Sequence, residues 1–213
     1  MFTYVVNFKN YAQSIGNETE KMLQELEDVK LNGNSLRLAI PTAHLLLSKQ
    51  YGNIIAQHVD PDEQGPFTGK IIMEDLKSIG ISGSLLNHSE NRIPMESINK
   101  TIRRASVQEF ELYVCSRDVG ETEELCKAGA LNIAYESQEL IGGDISVSTA
   151  KTEVIRDCAE ICDHFGAKLL VGAGIKNITD VKTSQELGAS GVLVSSGVIK
   201  STDPKNSLNS LMI

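Results

Sequence analysis

Short apolar, β-branched runs recur along the chain, separated by stretches whose apolar positions fall at helical spacing. The runs are TYVVNF (3–8), LRLAIP (36–41), NIIAQHV (53–59), SGSLLNH (82–88), ELYVCS (111–116), LNIAYE (131–136), KLLVGAG (168–174) and GVLVSSG (191–197). Several are apolar at consecutive rather than alternate positions. That is the pattern of strands covered by helices on one face and by a core on the other. Residues 17–30 predict a helix, with Asn17 as its cap, Glu20 three residues on, and Met22, Leu23, Leu26 and Val29 on one side. A second helix is predicted from Pro94, at its first turn, with Met95, Ile98, Ile102 and Ala105 facing inward. Residues 148–165 follow suit, with Ala150, Val154, Cys158 and Ile161 on one side, and residues 178–188 stop on Gly188.

Eight strand-then-helix units predict an α/β fold, a single-domain (β/α)8 TIM barrel over residues 1–213. The 213 residues give about 27 per unit, lean for a fold of typically about 250 residues. An open doubly wound sheet is the alternative. It suits five or six strands and usually carries an early G-x-G-x-x-G turn. The G-x-G here, Gly172 to Gly174, comes late and lacks the third glycine.

A barrel of this kind carries its site at the C-terminal strand ends. Those ends deliver Asn7 and Lys9, then Asn87, His88, Ser89 and Glu90, then Glu136, then Gly172 to Gly174, then Ser195 and Ser196. Taken singly, each has a plain reading. Lys9 is a solvated charge, His88 a hydrogen-bonded structural histidine, Glu136 a turn cap, and the glycines a tight turn. Their coincidence at one rim points instead to proton transfer on a small anion, with a lysine, an imidazole and a carboxylate beside exposed amides. His44 and His164 lie on helix-like segments, and His58 has no obvious partner.

The net charge of −8 disfavours nucleic acid as a partner, so any phosphate must be held by local donors against the overall field. No apolar run reaches 18 residues, which argues against a membrane span. The start, MFTYVVNFKNY, lacks the pattern of a secretory leader. Cys115, Cys126, Cys158 and Cys162 form no short-spaced disulfide framework, and a reduced, cytoplasmic location is expected. Cys158 and Cys162 would share a helix face near His164. No fourth ligand is apparent, and buried thiols rather than a metal site are expected.

Five stretches, NFKNY, LLNHSENR, AYESQELIGG, LLVGAGI and GVLVSSGVIK, occur in order at these strand ends. Together they resemble the triosephosphate isomerase family in the short form typical of archaea, over nearly the whole chain. The resemblance implies an aldose–ketose isomerase interconverting glyceraldehyde 3-phosphate and dihydroxyacetone phosphate through an enediolate. Glu136 would be the base, His88 a neutral electrophile with a helix N-terminus aimed at its ring, and Lys9 the electrostatic stabiliser. Asn7 would lend a further donor. Glu90 would stand behind the lysine rather than on the substrate. Ile141 and Gly142, in a lid after Glu136, would close over the phosphate, with Gly174, Ser195 and Ser196 supplying further amides. No cofactor or metal is implied.

The resemblance also implies a homodimer or homotetramer, assembled through residues 60–70 with Thr68 near the partner's site. This chain departs from the family pattern in three places. Ser137 and Gln138 stand where many archaeal members have two prolines, Gly143 and Asp144 replace Thr-Gly in the lid, and Lys70 replaces an acid. Competing readings are another phosphate-binding barrel enzyme, such as a sugar-phosphate epimerase, or a non-catalytic relative. The former tends to use paired acids or metal ligands, and the latter needs no base.

Overall fold

Residues that are apolar on consecutive positions become strands with both faces buried. In the computed structural model, which describes residues 1–136 and 151–213, eight parallel strands close into a barrel in the order β1 to β8. They are β1 (Thr3–Asn7), β2 (Ser35–Ile40), β3 (Ile54–Ala56), β4 (Gly83–Leu86), β5 (Glu111–Ser116), β6 (Asn132–Glu136), β7 (Lys168–Gly172) and β8 (Gly191–Val194). Each falls inside or within one residue of its predicted run. The described helices are α1 (Asn17–Glu27), α2 (Met73–Ser78), α3 (Met95–Gln108), α4 (Val119–Lys127), α5 (Thr152–His164), α6 (Ile178–Glu186), α7 (Ser196–Ile199) and α8 (Pro204–Asn209). After β2 the connection is a 3-10 segment, Thr42–Lys49. Among the described residues, no helix is long and apolar enough to cross a membrane.

The period of two along each strand sorts side chains into two cores. Val5, Ala39, Ile55, Leu85, Tyr113, Cys115, Ala134, Leu170 and Leu193 fill the barrel interior, with every strand contributing. Tyr4, Val6, Leu38, Ile40, Val114, Ile133, Leu169, Val171 and Val192 point outward into the larger core beneath the helices. The interior parity continues upward, so that Asn7 and Glu136 stand two residues above Val5 and Ala134. It continues downward to Arg37, whose Nε donates to Glu111 Oε2 at 2.7 Å.

Two helix starts differ from the sequence expectation. Gly16, not Asn17, is the N-cap of α1, and Asn17 is already helical, so the expected capping box is not made. The Gly16 N–H donates instead to His44 Nε2 at 3.0 Å. Pro94 sits at the N-cap of α3 rather than in its first turn. In α5 the buried stripe is Ile155, Cys158 and Cys162, with Val154 and Ile161 half-buried at its edge. Ala150 lies outside the described residues. α6 ends as expected, on Leu187 and then Gly188 at φ 98°. A Cβ there would sit 2.8 Å from that of Ala159, so glycine suits both the turn and the packing against α5.

The barrel is tied shut at the junction of β1 and β8. Thr3 pairs with Gly191, where an added Cβ would come within 2.4 Å of the Thr3 carbonyl. Tyr4 Oη donates to Leu211 O at 2.9 Å and accepts from Ile213 N at 3.1 Å. Asn34 Nδ2 donates to Ile213 O at 2.9 Å.

Candidate active site

The C-terminal ends of the strands enclose a cavity of about 560 Å3, lined by Asn7, Lys9, His88, Glu90, Glu136, Gly174, Ser195 and Ser196 among others. The structure thus brings together every described residue expected at the site. Ile141 and Gly142, and the departures at Ser137, Gln138, Gly143 and Asp144, lie outside the described residues.

Lys9 follows β1 in the left-handed region, φ 50°, which costs a non-glycine residue about 1–2 kcal/mol. Its backbone N–H donates to Asn7 Oδ1 at 2.9 Å, and its ammonium reaches Glu90 Oε1 at 2.6 Å. Glu90, half in solvent, therefore fixes the lysine head at the cavity wall. The turn is locked by a residue the sequence reading did not single out. Gln57, the first residue past β3, donates through Nε2 to Asn7 Oδ1 at 3.3 Å and to the carbonyls of Lys9 and Ala39 at 3.2 Å each. Its interior parity with Ile55 was the available signal. Ser195 Oγ donates to the Asn7 carbonyl at 2.7 Å, tying β8 to the same turn.

His88 is buried at the end of β4, after Asn87 in the left-handed region at φ 58°. The expected helix N-terminus does not follow. Residues 88–91 make one turn, closed by Asn91 N–H on the His88 carbonyl at 2.8 Å, and α3 begins only at Met95. Pro94 accounts for the difference, because the residue before a proline is driven away from helical geometry. Within that turn the Glu90 N–H donates to His88 Nδ1 at 3.2 Å. A nitrogen that accepts carries no hydrogen, so this contact makes Nδ1 the acceptor and leaves Nε2 as the nitrogen that can donate.

Nε2 faces Glu136. The imidazole Nε2 and the carboxylate Oε2 stand 3.3 Å apart, both buried, yet misaligned so that neither has a hydrogen-bond partner among the described residues. Buried polar atoms left unpaired cost about 1–3 kcal/mol each, and such groups concentrate where a ligand completes them. Glu136 owes its position to two neighbours. Gly172, its register partner on β7, leaves room for the side chain, since a Cβ there would lie 2.9 Å from Glu136 Cγ. Cys115 flanks it from β5. Burial, and then the Glu136 carboxylate, push that thiol well above its ordinary pKa, so it stays protonated and able to donate to the carboxylate.

Ala173 and Gly174 turn away from β7 with φ of 68° and 73°, and Ser195 precedes the single-turn helix α7. All three line the cavity, together with Tyr11 and Lys176.

The remaining candidates lie elsewhere. His44 accepts from Gly16, and His164 packs edge-on against Phe165. His58 does have a partner, Asp60, 3.5 Å from its Nε2. Lys70 spends its charge within its own loop, 2.9 Å from Asp60 and 3.8 Å from Asp62. Burial raises the Asp60 pKa, but the Ile71 N–H, Lys70 and His58 outweigh it and hold the carboxyl below its ordinary value. The four thiols are free and buried, and Cys162 Sγ lies 4.0 Å from Cys126 Sγ rather than near His164. Among the described residues, no three His, Cys, Asp or Glu side chains cluster as metal ligands.

Comparison with known proteins agrees with this geometry. The family model described as triosephosphate isomerase matches residues 2–211. A protein of Thermoplasma volcanium named triosephosphate isomerase is 45% identical over 216 residues, covering all of both chains. Proteins of the same name from Methanothermus fervidus and Cenarchaeum symbiosum are each 36% identical, covering 98% and 94% of this chain and 96% and 91% of their own. The chain belongs to the triosephosphate isomerase family.

Proposed function

We propose that the chain interconverts D-glyceraldehyde 3-phosphate and dihydroxyacetone phosphate. The observation that carries this reading is the pair of buried atoms, His88 Nε2 and Glu136 Oε2, unpartnered among the described residues and facing each other at the wall of a cavity that Lys9 also lines. Triosephosphate isomerases are themselves a reference case for a carboxylate base working with a neutral imidazole.

In this reading the Glu136 carboxylate takes a proton from the carbon beside the substrate carbonyl. The electron pair of that C–H bond becomes the C=C bond of an enediolate, and the carbonyl electrons move onto oxygen. His88 donates its Nε2 hydrogen towards that oxygen, which the Glu90 contact on Nδ1 makes available. Lys9 offsets the developing negative charge, with its position set by Glu90 and by the turn that Gln57 holds. Return of the proton from Glu136 to the neighbouring carbon, with a hydroxyl proton passing between the oxygens, completes the exchange. Nothing is oxidised or reduced overall, and no cofactor is required by the balance. Asn7 adds a donor beside Lys9. Gly174, Ser195 and Ser196 supply the phosphate-facing amides, to which Ile141 and Gly142 add theirs. The chain works in the cytoplasm as a homodimer or homotetramer, with residues 60–70 at the contact.

The test is turnover of glyceraldehyde 3-phosphate, coupled to reduction of the ketone product, for the native protein and Glu136→Gln. The native protein turns over, and the variant loses about 10²- to 10⁴-fold in kcat while still binding triose phosphate. Absence of turnover in folded native protein refutes the proposal.

A further inference from the structure

We propose that Glu121, on α4, is a positioning residue for the His88 electrophile, acting through Arg92 and Asn87; this rests on the function proposed above. Glu121 is not among the residues that line the cavity, yet its side chain is only 6% exposed. Its Oε1 takes Arg92 Nη2, and its Oε2 accepts the Arg117 N–H at 2.8 Å. The same guanidinium donates through Nη1 to the Asn87 carbonyl at 3.3 Å. That carbonyl belongs to the peptide joining Asn87 to His88, so the ion pair grips the bond that carries the imidazole.

Asn87 closes the remaining sides. Its Oδ1 accepts the Ile93 N–H at 3.2 Å, and its Nδ2 donates to the Cys115 carbonyl at 3.0 Å, with Glu121 Oε1 at 3.5 Å. One buried carboxylate therefore stands behind the left-handed residue that aims His88. Through Cys115 it also stands behind the strand whose thiol flanks Glu136.

Capping α4 does not explain this residue. The helix is already capped by Asp118, whose Oδ1 accepts the Glu121 N–H at 2.8 Å. A helix start needs no second, buried acid locked to an arginine from another loop. A proton-transfer site needs its electrophile fixed closely, because a displacement of about 1 Å costs about 10²-fold in rate.

Glu121→Gln keeps the volume but cannot accept from both Arg92 and Arg117, and Glu121→Ala removes the grip. Glu123→Gln, at a half-exposed position of α4 where the carboxylate pairs with Lys127 at 2.7 Å, is the control for helix stability. Expected are a fall in kcat of about tenfold for Glu121→Gln and about 10²-fold for Glu121→Ala. KM stays within about twofold, and the control is unchanged. The imidazole 15N resonances of His88, assigned with a His88→Asn variant, shift or broaden in the Glu121 variants alone. Unchanged kcat per folded molecule with unmoved resonances overturns the proposal, even where the melting temperature falls. So does a rise in KM alone. Should neither Glu121 variant fold, Arg92→Lys keeps a cation beside the carboxylate but loses the fork to Asn87, and must reproduce the kcat loss. If the native protein shows no turnover, the functional reading fails by itself, and the His88 resonances still decide the role of Glu121.

Discussion

Substitution of Gly172 by alanine tests the placement of the base without altering any polar group. The added Cβ would lie 2.9 Å from Glu136 Cγ and 3.4 Å from both Glu136 Oε1 and Leu193 Cβ. Carbon atoms rest about 3.5–4.0 Å apart, so the Glu136 side chain must retreat by roughly 0.6–1.1 Å. A misplacement of that size in a near-attack geometry costs about 10²-fold in rate, or about 2.7 kcal/mol of transition-state stabilisation. Overpacking adds a stability cost of about 1–3 kcal/mol. Steady-state kcat and KM on glyceraldehyde 3-phosphate, with thermal melts of the same samples, measure the two effects separately. The control is Gly52→Ala, where an added Cβ meets nothing within 4 Å. A folded Gly172→Ala protein whose kcat stays within about threefold of native would refute the steric account of how Glu136 is held.

Three further outcomes follow from the same structure. Gln57→Leu removes the amide that spans Asn7, Lys9 and Ala39; loss of about two neutral hydrogen bonds lowers stability by roughly 1–3 kcal/mol. It also reduces kcat/KM, and a variant with native melting and native kinetics argues against the clamp. Asp60, held below the ordinary aspartate value of 3.8, contributes stability that is complete above that value and disappears as the pH falls through its folded pKa. Melting of Asp60→Asn is therefore lower than native at neutral pH and converges with it at acid pH, whereas a gap that persists to about pH 2 contradicts the assignment. The buried thiols, with Cys158 pushed up to about 11 by burial and Cys115 well above its ordinary value, resist an aromatic disulfide reagent at pH 8. All four react in denaturant; rapid labelling of Cys115 in the native protein would count against its protonated contact with Glu136.

The eight strands were legible because a barrel strand is buried on both faces, so its sequence runs apolar without interruption. The rim positions of Lys9, His88 and Glu136 were legible because each stands at or just past the C-terminal end of such a run. What escaped were contacts made across the chain. Gln57 looks like any amide until β3 is laid beside β1 and β2. Glu121 resembles a first-turn acid until Arg92 arrives from the loop after β4. Asn17 carries a good capping sequence, but the turn at Gly16, φ 59°, starts the helix one residue early. No helix starts directly after His88 for a local reason: Pro94 holds the residue before it out of helical geometry, and α3 begins only at Met95.

The seam between β1 and β8 also bears on how the chain is made. Thr3 cannot meet Gly191, nor Tyr4 residues Leu211 and Ile213, until those distant residues have been made. At about 5–20 residues per second, β1 waits roughly 10–40 s with one edge open. That edge is a row of unpaired amides on an apolar strand, the kind of template on which nascent chains join one another. Ribosome-tethered chains that stop short of Gly191 should therefore stay open and sticky, so that the segment from Gly191 to Ile213 acts as the latch of the whole barrel.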